Sequence, residues 1–187
     1  MPVTALDPKS ALVIIDLQKG IVSLSTAHPS AEVVTNAAAL ADAFRRRGLP
    51  VVLVNVAGRA PGRTETALNL SQLPPDWTEF VADLNRRPQD HIVTKRTPGA
   101  FTGTDLEAHL KSLGVTQVIL AGIATSSGVE ATARHAYELG FNVTLVVDAM
   151  TDMSREAHDN SVTRIFPKIG ETGTTQEVID LLQTEKA

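Results

Sequence analysis

Residues 118–134, VILAGIATSSGVEATAR, decide the fold. Val118 to Ala121 is a short apolar run of the kind a fully buried strand requires, and Gly122 is expected to end it. Ser127 with Glu130 has the Ser-x-x-Glu spacing of a helix capping box. Val129, Ala133 and Ala136 then recur on one helical face, and Gly140 supplies a C-terminal stop. The stretch therefore reads as strand, tight turn and helix N-terminus. Amides of the first helical turn carry no intrahelical partner and suit a developing negative charge. The same pattern also fits an ordinary strand-to-helix connection, and geometry alone leaves both open.

Working outward, the same junction recurs. GLPVVLV from Gly48, GVTQVIL from Gly114 and GFNVTLV from Gly140 each join a helix-ending glycine to a buried β-branched strand. Three such junctions imply repeated strand–helix units, hence a mostly parallel sheet covered on both faces. Upstream, Ala11 to Ile15 is an apolar run ending at Asp16, so a buried strand delivers a carboxylate at its C-terminal end. Ligands of open α/β sheets bind at that end. A helical stripe runs from Ser30 to Arg47, and a strand covers Val51 to Val56. His91 to Thr94 forms a further strand with Lys95 at its end, and Thr104 with Glu107 repeats the capping-box spacing. Val143 to Asp148 is a fifth strand, followed by a helix from about Ser154 to near Pro167. Lys168 to Gly173 forms a short edge strand or an extended arm, and Thr174 with Glu177 caps a last helix. The expected architecture is a three-layer α/β/α sandwich, Rossmann-like, with a six-stranded, mostly parallel sheet. A single domain is expected to span residues 1–187.

Residues 57–76, AGRAPGRTETALNLSQLPPD, have no sustained period and form a long loop over the same sheet edge as Asp16. Arg59 and Arg63 can each grip a carboxylate in bidentate fashion or simply be solvated. Trp77, the only tryptophan, anchors the loop or lines a pocket.

Composition excludes several classes. Lys plus Arg number 17 against 21 Asp plus Glu, a net charge of −4, and the only basic run is Arg45, Arg46 and Arg47. Those three suit the C-terminal end of a helix dipole, so no nucleic-acid partner is expected. No apolar run approaches the roughly 20 residues of a membrane span, and no secretory leader is legible, so the expected location is cytoplasmic. There is no cysteine, which removes disulfides, thiolate metal sites and a thiol nucleophile.

The motifs VIIDLQ, TKRTPGAFTGTDL and GIATSSGVEATA together resemble the isochorismatase-like hydrolases, the cysteine hydrolase superfamily. The resemblance covers nearly the whole chain, and it implies roles for three strand ends. Asp16 would transfer protons, Lys95 would position it and stabilise charge, and position 128 would carry the nucleophilic cysteine. Here that position is Gly128, so covalent catalysis there is excluded. The resemblance also implies a cis peptide between Ile123 and Ala124, and an oxyanion hole from the amides of Ala124 and Gly128. Asn55, Arg59, Arg63 and Phe101 are the remaining candidate substrate contacts. One branch of the family likewise has glycine at the cysteine position and hydrolyses vinyl ethers such as isochorismate. There the aspartate protonates the methylene carbon, and no nucleophile is required.

The resemblance thus implies a hydrolase of a small anionic substrate, assembled as a homo-oligomer. The alternatives are a catalytically reduced binding relative and an amide hydrolase using another nucleophile. Metal-dependent relatives carry an Asp-x-His motif and loop histidines. Here residues 55–65 contain none, and His28, His91, His109, His135 and His158 are scattered, so neither metal nor cofactor is expected. No G-x-G-x-x-G fingerprint points to a dinucleotide.

Overall fold

The computed structural model describes residues 2–65 and 73–184. Six strands form one sheet: β1 (Ser10–Ile15), β2 (Val51–Val56), β3 (His91–Lys95), β4 (Gln117–Ile123), β5 (Asn142–Thr151) and β6 (Glu171–Gly173). Their spatial order is β3-β2-β1-β4-β5-β6, and each neighbouring pair is parallel. β1, made entirely of buried residues, is paired along both edges, with Ile15 opposite Val54 on one side and Gly122 on the other. Among the described residues six α-helices complete the fold: α1 (Lys19–Val22), α2 (Ser30–Arg46), α3 (Leu106–Ser112), α4 (Glu130–Glu138), α5 (Arg155–Asn160) and α6 (Thr175–Thr184).

Alternation along the strands sends successive side chains to opposite faces. Leu12, Ile14 and Leu53 pack against Ala37 of α2 and Val178 of α6. Val13, Ile15 and Val52 pack against Leu110 of α3 and Ala133 of α4. This is the expected three-layer sandwich. Gly48, Gly114 and Gly140 all have φ near +70 to +90°, the left-handed turn that ends a helix before each following strand.

Several local expectations are corrected. β4 does not stop at Gly122 but runs on to Ile123. Gly122 sits at φ +123°, where a Cβ would run into the Ile15 carbonyl, so the glycine permits the close β1–β4 approach rather than ending a strand. Ser127 and Glu130 form no capping box. The first turn after β4, residues 125–129, is π-helical, and the Glu130 carboxylate accepts from Arg134 and from the Ser161 hydroxyl. At α3, Thr104 accepts from the Leu106 amide, but Glu107 pairs with Lys111 instead of closing the box. The box at Thr174 does form: Glu177 accepts from the Thr174 amide at 2.7 Å and Thr174 Oγ1 from the Glu177 amide at 3.3 Å. Arg45 is not spent on the α2 dipole; its guanidinium is buried against Asp90 at 2.7 Å.

Candidate active site

Three strand ends meet at the carboxyl edge of the sheet. Asp16 follows β1 in a left-handed conformation, φ +53°, and its amide donates to the Val54 carbonyl at 2.8 Å. Asp is among the few residues that enter this region readily, and here it turns the carboxyl group away from the strand line. Lys95 ends β3. Its ammonium lies 2.8 Å from Asp16 Oδ2 and donates to the Pro98 carbonyl at 2.7 Å. Both side chains are almost fully buried, Lys95 at 2% exposure and Asp16 at 5%.

Burial and Lys95 push the Asp16 carboxyl in opposite directions. Loss of hydration wins, and its pKa is pushed up to about 6 although the ammonium favours the ionised form. Asp16 Oδ1 is buried and has no hydrogen-bond partner. One carboxyl oxygen is therefore held by Lys95, and the other is uncommitted.

Gly128 closes the arrangement. A Cβ built there would stand 3.3 Å from Asp16 Oδ2, 3.3 Å from Lys95 Nζ and 2.9 Å from Ile15 Cγ2. The missing side chain thus lets the helix turn lie directly against the pair. Ile123 and Ala124 line the cavity just before this turn, and the peptide between them is cis.

The turn is braced by residues that the sequence reading passed over. Asp152, beyond β5, is buried and accepts from both the amide and the hydroxyl of Ser126 at 2.8 Å, which makes it the cap that Ser127 was expected to be. Thr125 Oγ1 is bonded to His158 Nδ1 at 2.8 Å, and burial lowers the pKa of that imidazole. Thr132 donates to the Gly128 carbonyl and accepts from the Ala100 amide, tying α4 to the loop that holds Lys95. Gln18 Nε2 donates to the carbonyls of Val56 and Trp77, and Gln18 Oε1 accepts from the Val56 amide. Gln18 lies within the motif VIIDLQ, so a signal was present. Asp152 carried none beyond the turn-like run DAMTD.

Asp16, Lys95, Ile123, Ala124 and Gly128 border a cavity of about 390 Å³. Arg59, Trp77, Met153 and Ser127 complete much of its wall. Three candidate contacts lie elsewhere. Asn55 is turned to the β2–β3 edge, donating to the Thr78 carbonyl and accepting from Thr94, its register partner. Phe101 is a core residue, with its ring 6.2 Å from Phe141 and 5.3 Å from His135. Arg63 is exposed and is not part of the cavity wall. Part of the loop expected to roof the site, residues 66–72, lies outside the described residues. Among the described residues no group of three or more His, Asp or Glu could hold a metal ion, and no helix is long and apolar enough to cross a membrane.

A parallel sheet covered by helices on both faces, with a buried aspartate–lysine pair at its strand ends, defines an α/β protein. The family model described as Isochorismatase domain matches residues 10–177. An uncharacterized isochorismatase family protein, YwoC of Bacillus subtilis, is 44% identical over 92% of this chain and 93% of its own. Another, YecD of Escherichia coli O157:H7, is 40% identical over 92% and 96%. The solved structure of an isochorismatase family protein from Burkholderia thailandensis superposes with a TM-score of 0.92 at 43% identity, covering 96% of this chain and 98% of that one. The chain belongs to the isochorismatase family, a family of hydrolases.

Proposed function

We propose that the protein hydrolyses a small anionic enol ether without a covalent intermediate, with Asp16 as general acid. The observation that carries this reading is the buried Asp16–Lys95 pair closed by a glycine, with the Asp16 pKa raised to about 6. An acid must hold its proton near working pH, and burial supplies that here. Asp16 would deliver the proton to the methylene carbon of an enolpyruvyl ether. Water adds to the resulting oxocarbenium carbon and loses a proton, and the hemiketal collapses to pyruvate and the free alcohol. Lys95 would hold the Asp16 carboxylate while its proton is on the substrate. The amides of Ala124 and Gly128 would receive a substrate oxygen, and Arg59 its carboxylate. Position 128 has no side chain to attack with, which supports a route needing no nucleophile.

A second reading rests on one observation. Ser127 borders the cavity and caps nothing, so its hydroxyl is an available nucleophile for amide hydrolysis. Purified protein assayed against enolpyruvyl ethers with one and with two carboxylates, isochorismate among the latter, and against nicotinamide and N-carbamoyl amides separates the two. Pyruvate release from the enol ether alone supports the first reading, and amide cleavage alone supports the second. Absence of turnover on the whole panel leaves a binding relative of the hydrolases.

A further inference from the structure

The charges around the cavity are few, and they can be assigned one at a time. Among the described residues the charged side chains on its wall are Asp16, Lys95 and Arg59. Asp16 and Lys95 face each other at 2.8 Å, and Lys95 is further bound to the Pro98 carbonyl, so this pair is largely spent on itself. Arg59 is exposed and forms no ion pair among the described residues. The nearby Arg96 is occupied, donating to the Ala57 carbonyl at 3.0 Å, and it is not part of the wall. Residues 66–72 read TALNLSQ and contain no ionisable side chain.

The rest of the wall is mainly apolar: Ile21, Val56, Trp77, Pro98 and Met153. Trp77 is a fixed part of it. Its carbonyl accepts from the Gly20 amide and from Gln18, and its Cβ lies where a side chain at Gly20 would stand.

We infer that this cavity takes a ligand with a single negative charge, set on Arg59, and an uncharged, largely apolar body against Trp77. A second carboxylate would lose its hydration against apolar side chains, and Lys95, the other cation on the described wall, is buried and already held by Asp16 Oδ2 and the Pro98 carbonyl, so that loss is costly. The inference rests on this cavity being the substrate site. It narrows the substrate to a mono-anion, which excludes doubly charged enol ethers as preferred substrates.

Trp77 is the only tryptophan in the chain, so its fluorescence reports occupancy without any need for turnover. Wild-type protein would be titrated with benzoate, isophthalate and benzamide, which share a ring and carry one, two and no negative charges. Benzoate is expected to give saturable quenching, with isophthalate and benzamide each at least about ten-fold weaker. Arg59→Gln should weaken benzoate by about ten-fold or more and remove the preference over benzamide. Isophthalate binding as tightly as benzoate, benzamide matching benzoate, no saturable quenching by benzoate, or an Arg59→Gln variant that binds benzoate unchanged would each overturn the inference. Failure of singly charged enolpyruvyl ethers to release pyruvate, with the benzoate preference intact, refutes the proposed reaction and leaves the ligand class standing.

Discussion

Asp16 carries the chemistry proposed for the site, and its environment fixes how it can be tested. Asp16→Asn keeps the shape and cannot deliver a proton, so turnover should fall by about 10²–10⁴-fold while benzoate binding persists, as read by kinetics and fluorescence together. With the carboxyl near pKa 6, kcat/KM for an acid-catalysed reaction should be level below about pH 6 and fall above it. A profile that rises through the same range would make Asp16 a base and favour the serine reading. Gly128→Ala brings a methyl within 2.9 Å of Ile15 Cγ2 and should cost about 1–3 kcal/mol, measured by urea unfolding. Strand-end position was legible for Asp16 and Lys95, but it was the family resemblance that singled out these two together with Gly128. Asn55 and Phe101 lie off the cavity wall, and only packing reveals which face a single polar or aromatic residue takes.

Helix termini show the limit of reading spacing alone. Of three Ser/Thr-x-x-Glu patterns, only Thr174–Glu177 closes as a capping box. At the other two, an arginine or lysine one turn further on takes the glutamate. Ser127→Ala should therefore leave stability within about 0.5 kcal/mol of wild type, whereas Thr174→Ala should cost about 1 kcal/mol. The cap at the turn after β4 comes from a distant segment, since Asp152 reaches Ser126 from beyond β5. Asp152→Ala should cost about 1–2 kcal/mol, with unfolding monitored by circular dichroism, because it removes the acceptor that caps the Ser126 amide and hydroxyl. No local pattern could announce this, because the partner is distant in sequence and close only in the folded sheet.

For the molecule as a whole, the raised Asp16 pKa links folding to pH. The folded value, about 6, lies above the unfolded value of 3.8, so this group's contribution is fully present below about pH 3.8 and lost as pH rises through 6. The difference in unfolding free energy between wild type and Asp16→Asn should therefore shift against the wild type by on the order of 3 kcal/mol between pH 4 and pH 7. The layered architecture was legible because the three glycine-led junctions repeat with buried strands behind them. Assembly into a homo-oligomer is a proposal that comes from resemblance, and sedimentation at micromolar concentration tests it. A strict monomer would remove it.

The position of β1 has a consequence for the chain during synthesis. SALVII leaves the ribosome first among the strands, yet it becomes the centre of the sheet, and Ile15 must wait for Gly122 to close its second edge. At about 5–20 residues per second that wait lasts roughly 5–20 s. Throughout it, a largely apolar strand has an open edge able to pair with other chains. Nascent chains stalled before β4 should therefore be sticky and bound by chaperones, while chains released after β4 has paired should not.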